Sequence, residues 1–364
     1  MSKVEYKNLV TFHPGYYIKD IINEMEISQD EFATRMGVSG KTLSLLVNGK
    51  ISLSNEMASL LSIMLGTSVD VWLNMQKKYD EKILEMQKEK RLDDEIELVR
   101  QIDYSYFTKL NILPETRDIT EKVKNLCSFL KVSSLNVLSE EDFLVNYRTG
   151  ITNIEKKNII NSRIWLQTAI NFGKNIETEP FNAKKLKAYL PEIREMTVKL
   201  PQDFMPRLRE IFKECGVSFV LLPSLKNAGI NGAVKWVNNE KVILAMNNRR
   251  TYADTFWFSL FHEIKHVLQQ KIKLTMISGN ADIVKRLDDR LEQEADIFAQ
   301  EQLIPKEAYE KFLDRSNFTA DSIKAFANEL KIQPGIVVGR LQKESFINYY
   351  QHNDLKQKYT IKVK

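Results

Sequence analysis

The sequence predicts a multidomain, mainly α-helical chain: an N-terminal bundle of short helices, a helical middle segment, and a C-terminal α+β domain with a small sheet. Three observations carry this. Helix start and stop signals recur at short intervals over residues 1–80. Three apolar runs, Val217–Leu222, Gly232–Trp236 and Lys241–Met246, read as strands close together in sequence. Most of the rest has apolar residues at helical spacing. The boundaries expected are 1–80, 81–199 and 200–364.

In the first segment His13-Pro14-Gly15-Tyr16 opens a helix that runs to about Met25. Ser28 and Glu31 then have the spacing of a capping box, a serine at the N-cap and a carboxylate three residues on, ahead of Phe32 to Met36. Gly37-Val38-Ser39 makes a tight turn. Ser39 caps a second helix, Lys41 to Leu46, which stops at Asn48-Gly49, where glycine is free to take the left-handed conformation. Two short helices, a three-residue turn and apolar Ala33, Val38 and Leu43 describe a helix-turn-helix.

Residues Lys77 to Arg100 mix charges with sparse Ile83, Leu84, Met86 and Leu92, the pattern of an exposed helix that joins domains or pairs with its copy in a dimer. From Ile102 to about Lys199 the spacing is helical, with a break at Leu113-Pro114 and a buried helix marked by Ile164, Trp165, Leu166, Ala169 and Ile170. A structural scaffold is expected there.

The C-terminal segment holds His262-Glu263-Ile264-Lys265-His266, half of the four histidines of the chain. On a helix, positions i and i+4 lie about 6 Å apart along the axis on one face, so both imidazoles reach one metal ion. Glu263 then stands beside the metal as a general base toward water, the arrangement that hydrolyses an amide. Chance places such a pattern in about a few chains per thousand of this composition. The flanking Phe256, Trp257, Phe258, Leu260, Phe261, Val267 and Leu268 mark a buried helix, where unpartnered polar groups cost several kcal/mol. A third ligand is expected from a later helix, Arg290 to Gln302, on which Glu292 and Asp296 share a face with Leu291, Ala295 and Ala299. Glu292 is the expected ligand and Asp296 the acceptor for the second ring N–H of a ligating histidine. Glu294 is the rival, but at about 100° per residue it points roughly 160° away from Glu292. Two imidazoles and a carboxylate suit Zn²⁺ best, one per chain, and Mn²⁺ or Fe²⁺ also accept such a set. The spacing does not choose among Tyr252, Arg249 and Arg250 as oxyanion donor, and His352 in the polar tail reads as a surface residue.

With these residues in view, His262-Glu-x-x-His266, Glu292-x-x-Ala295-Asp296-x-Phe298-Ala299 and Leu303-Ile304-Pro305 together resemble the ImmA/IrrE family of metallo-endopeptidases, a gluzincin-type, zincin-like fold. The likeness covers about 200 to 356, including a helix from Leu208 to Cys215, the three strands, and a helical tail from Ser322 to Gln342. It implies regulated, selective cleavage of a helix-turn-helix repressor. In this family the small sheet packs over the metal helix. The N-terminal segment, about 9 to 80, resembles the HigA/VapI antitoxin branch of the Cro/C1-type (XRE) helix-turn-helix. The likeness rests on His13-Pro14-Gly15, Leu43-Ser44-x-Leu46-Val47-Asn48-Gly49-Lys50, Glu56-Met57-Ala58, Leu65-Gly66-Thr67-Ser68 and Trp72 to Gln76. It implies that Gln29, Ser39, Gly40, Lys41, Thr42 and Ser44 meet the major groove while Asn48 and Lys50 touch phosphate.

Charge bounds the DNA reading. Residues 1–78 hold eight Lys or Arg and eight Asp or Glu, so no net positive field draws this segment to a duplex. Affinity then has to come from local contacts and from a two-fold homodimer reading two half-sites. A composition 43% hydrophobic and 28% charged is ordinary globular content. No run approaches the ~20 apolar residues of a membrane span. No signal peptide is visible at Met1 to Tyr6, and two cysteines are too few for a disulfide framework, so the expected compartment is the cytoplasm. Two functions follow. The first is a transcriptional regulator that binds operator DNA and carries its own zinc endopeptidase, whose protein substrate is a repressor, a toxin-antitoxin partner or the chain itself. The second is a HigA-like antitoxin or interaction protein whose zinc fold is latent. A complete set of His262, Glu263, His266 and Glu292 favours the enzyme, since a pure binding fold has no use for Glu263.

Overall fold

The computed structural model describes residues 3–140, 156–249, 251–271, 275–279 and 289–361. The chain divides into two compact units, Met1–Glu97 and Leu98–Lys364.

The first unit opens with an antiparallel hairpin, β1 (Lys3–Tyr6) and β2 (Leu9–Phe12), paired from Lys3↔Phe12 to Tyr6↔Leu9. Sequence inspection gave no strand here, because the link is Lys7-Asn8 rather than a glycine turn, with Lys7 itself left-handed at φ 50°. Then come α1 (Pro14–Glu24), α2 (Gln29–Met36), α3 (Gly40–Val47), α4 (Asn55–Leu65) and the long α5 (Val69–Val99). Each of the first four helices begins at a side-chain cap. His13 Nδ1 accepts from Gly15 N, Ser28 from Glu31 N, Ser39 from Thr42 N and Ser54 from Met57 N. The capping box is therefore present in its serine half, while the Glu31 carboxylate turns instead to Arg35, one helical turn on. Gly15 explains its place in the His-Pro-Gly run. A Cβ there would run into the carbonyl oxygen of Leu46 and lie 2.9 Å from Leu46 C and Val47 Cα, so only glycine lets α1 approach α3 this closely. Ile18, Ile22, Phe32, Ala33, Leu43, Leu46, Leu61 and Trp72 fill the core between these helices. Tyr6 and Lys7 of the hairpin both bond Asp93, far along α5.

The second unit continues with α6 (Tyr104–Lys109), α7 (Ile119–Leu130), α8 (Lys156–Lys174), α9 (Ala183–Glu195) and α10 (Pro201–Glu214). A four-stranded sheet follows: β3 (Val217–Leu222), β4 (Ile230–Asn238), β5 (Lys241–Asn247) and β6 (Thr275–Gly279), in the order β3-β5-β4-β6. β3 runs parallel to β5, and β4 is antiparallel to both β5 and β6. Between β5 and β6 lies α11 (Ala253–Leu268), and after β6 come α12 (Asp289–Leu303), α13 (Lys306–Asp314), α14 (Ala320–Leu330) and α15 (Pro334–Lys343).

Period-two alternation sorts the strands' side chains between two helical layers. Phe219, Leu221, Val234, Trp236, Val242, Leu244 and Met246 join α10 and α11 in one large core. On the opposite face α8 packs so closely on β5 that a Cβ on Gly173 would run into Ile243. A sheet covered on both faces has strands that are apolar throughout, which is why β3 is buried at every residue.

Candidate metal centre and nucleic-acid interface

α11 carries the central motif. Apolar Phe256, Trp257, Leu260, Phe261, Ile264 and Val267 bury it against the sheet and α15. Its first turn has no side-chain cap. The chain end supplies the missing contacts instead: Ala253 N donates to Gln357 O at 2.9 Å, Lys356 Nζ pairs with Asp254 at 2.8 Å, and Trp257 Nε1 donates to Tyr359 Oη at 2.8 Å. α12 packs beside α11 through Ala295 and Ala299, both fully buried and small enough for close approach. Arg194 and Arg340 bond the carbonyls of Leu303 and Ile304 at its far end.

This pairing brings His262, His266 and Glu292 together, all buried, with one ligand atom of each within 4.8 Å of the others. His262 Nε2 lies 3.0 Å from His266 Nε2. Glu292 Oε2 is 3.4 Å from His262 Nε2, and its Oε1 is 3.2 Å from His266 Nε2. Four-coordinate zinc with bonds of about 2.0–2.1 Å sets its ligands roughly 3.3 Å apart, so the two Nε2 atoms and the Glu292 oxygen facing each of them stand near zinc spacing. The other imidazole nitrogens are held from outside. His262 Nδ1 faces Asp296 Oδ1 at 2.9 Å, and His266 Nδ1 faces Gln269 Oε1 at 2.9 Å, with Gln269 Nε2 donating to Leu291 O. Both rings thereby present Nε2 inward. Glu294 pairs with Lys265 and Arg290, away from the cluster.

The electrostatics ask for positive charge at this point. Burial pulls the His262 imidazole down, but the hydrogen bonds of Asp296 and Glu292 and the charge of Glu263 overcome it and hold the ring up at about 10. Burial pushes the Glu292 carboxyl up, and His262 and His266 outweigh it and hold the group down at about 2. Carboxylates gathered around two imidazoles favour a cation, which a divalent metal ion supplies. Donor set, spacing and field thus fit one Zn²⁺.

Glu263 is fully buried beside the two ligating histidines and lies against Gly232 of β4. Sequence reading had found neither Gly232 nor Gln269. Gln269 sits three residues beyond His266 at the helix end, a position visible in the sequence whose role depends on α12 being alongside. Of the oxyanion candidates, Tyr252 is exposed at the start of α11 and bridged to Lys358, Arg249 is exposed, and Arg250 lies outside the described residues. His352 sits in the C-terminal tail with left-handed backbone, φ 59°.

In the first unit, α2 and α3 present the residues implied for DNA. Lys41, Asn48 and Lys50 are exposed, while Gln29, Gly40, Thr42 and Ser44 are half-buried. Ser39 and Asn48 also serve the helix itself: Ser39 Oγ caps α3 and lies 2.8 Å from Thr42 Oγ1, and Asn48 Nδ2 donates to Ser44 O. No helix of the described residues is long and apolar enough to cross a membrane.

Comparison with known proteins follows the same division. The helix-turn-helix family matches residues 18–72, and the IrrE N-terminal-like domain family matches residues 226–342. Over 83 residues the chain is 36% identical to YddM, an uncharacterised helix-turn-helix-type transcriptional regulator of Escherichia coli; the match covers 22% of this chain and 88% of that protein. Among solved structures, a Nostoc punctiforme protein described as a plasmid-maintenance antidote is 36% identical, with 22% of this chain and 89% of that chain covered and a TM-score of 0.21. An addiction module antidote protein of the HigA family from Coxiella burnetii is 25% identical, with 23% and 92% covered and a TM-score of 0.21. The chain belongs to the helix-turn-helix family through its N-terminal domain and carries, fused to it, an IrrE-like peptidase domain, the architecture of ImmA/IrrE-type proteins.

Proposed function

We propose that this protein is a DNA-binding transcriptional regulator with a built-in zinc endopeptidase that cleaves a repressor, an antitoxin or the chain itself and so switches transcription. The observation that carries this reading is the convergence of His262, His266 and Glu292 beside buried Glu263, in a chain that also bears a helix-turn-helix.

His262, His266 and Glu292 would hold the metal. When bound, zinc polarises a peptide carbonyl and lowers the pKa of a water to about 7. Asp296 and Gln269 fix the two imidazoles so that each offers Nε2. Glu263 takes a proton from the attacking water and passes it to the departing amine, the exchange a general base and acid performs. The dry surroundings of Glu263 strengthen each of these electrostatic interactions. On DNA, α3 enters the major groove with Ser39, Gly40, Lys41, Thr42 and Ser44 toward the bases, Gln29 at the start of α2 joins them, and Asn48 and Lys50 meet phosphate. Eight basic against eight acidic residues over 1–78 leave one copy with little long-range attraction, so a homodimer on two half-sites supplies the affinity.

Replacing the native gene by Glu263→Gln and comparing all cleaved peptides of the two strains tests the reading. Fragments of a helix-turn-helix repressor, of an antitoxin or of this chain are expected only in the wild type. Identical profiles would sink the peptidase and leave a DNA-binding protein with a latent metal fold.

A further inference from the structure

β4 passes directly beneath the Glu263 carboxylate, and the residue at that point is Gly232. A Cβ built there meets three atoms first, and all three belong to Glu263: Oε1 inside any allowed contact, Cδ at 2.7 Å and Cγ at 2.9 Å. Gly232 shares its strand face with Val234 and Trp236, which fill the core against α11, so the side chain missing at 232 is the one that would point at the helix. The strand is also irregular here. Ile230 pairs with Gly279 and Gly232 with Ser278, so Asn231 is an extra residue on β4, a bulge immediately before the contact. Glycine inside a strand weakens pairing and packs nothing, and it is retained where another group must come close. Here the close group is a fully buried glutamate.

We propose that Gly232 is a positioning residue for Glu263: the empty side-chain position on β4 is the seat of the carboxylate, and it sets the distance from that carboxylate to the metal ligands. This rests on the peptidase reading for its catalytic consequence, whereas the seat itself is a packing relation. A methyl group at 232 first meets the end of a flexible side chain rather than backbone, so the fold survives while Glu263 is pushed aside. The three atoms nearest to that methyl group all belong to Glu263, and none to His262, His266 or Glu292.

The test uses four full-length, zinc-loaded proteins: wild type, Gly232→Ala, Glu263→Ala and the double variant. Gly232→Ala is expected to lower Tm by several degrees when Glu263 is present and by less than half as much when residue 263 is alanine. Zinc per chain is expected to be unchanged, and Glu263-dependent fragment formation in a cell extract to fall at least tenfold. An equal Tm loss in both backgrounds would overturn the proposal, because glycine would then serve only the strand. Wild-type cleavage rates in Gly232→Ala would overturn it as well. If Gly232→Ala fails to fold, folding of the double variant supports the seat and its failure contradicts it. A wild type that cleaves nothing removes the peptidase reading, and the Tm comparison still decides the seat.

Discussion

His13 caps α1 through Nδ1, and only an unprotonated ring nitrogen accepts the Gly15 N–H. Burial holds this imidazole below its usual value, against the opposing pull of Asp80 and the Ile51 carbonyl. A depressed folded pKa means that the contribution to stability is complete above the unfolded value of about 6.5 and is lost as pH falls through the folded one. Amides of α1 are therefore expected to exchange faster, beyond the intrinsic effect of pH, between pH 7 and pH 5.5. His13→Asn, which keeps a capping acceptor without a titrating ring, is expected to flatten that response; an unchanged response would clear His13. At the metal centre, Glu292→Ala is expected to lower bound zinc measured by elemental analysis, while Glu294→Ala leaves it unchanged because Glu294 faces Lys265 and Arg290. The opposite pattern would reassign the ligand. The choice between these two glutamates was legible in the sequence because it is local geometry, 100° per residue on one helix. Gly232 was not, since nothing within β4 says which residue of α11 will lie over it.

At the scale of elements, caps and periodicity wrote most helices into the chain. Ser28 and Ser39 each begin a helix where a serine precedes an apolar-periodic run, and Ser54, not singled out in the sequence, begins another. The β1–β2 hairpin lacked a glycine turn and escaped notice. β6 was missed as well, because it acquires its strand character by pairing with β4. α3 is the element on which the DNA reading stands. Lys41→Ala with Thr42→Ala removes an exposed cation and the hydroxyl beside Ser39 Oγ, at a stability cost of about 1 kcal/mol. Loss of base and phosphate contacts is expected to weaken binding to a duplex selected from a random pool by roughly 1–3 kcal/mol, about fivefold to a hundredfold, with zinc content unchanged. A gel shift equal to wild type would turn α3 over to protein interaction.

For the whole molecule, the sequence announced a reader and a hydrolytic centre because each is encoded by a short, local constellation. What tied the centre together was less visible. The first turn of α11 is held by residues 356–359 from the chain end, through the Lys356–Asp254 pair and the Tyr359 hydroxyl, contacts between segments about a hundred residues apart. The sheet that seats Glu263 is likewise covered on its other face by α8, from the middle segment. Such contacts follow from topology, which no single stretch of sequence displays. The proposed function depends on Glu263 as the base of a zinc site whose ligands do not include it. The most direct measurement pairs elemental analysis of purified wild type and Glu263→Gln with fragment formation after each is added to an extract of the Glu263→Gln strain. One zinc per chain in both proteins and new fragments only with the wild type is the predicted result; fragments formed equally fast by Glu263→Gln would contradict it.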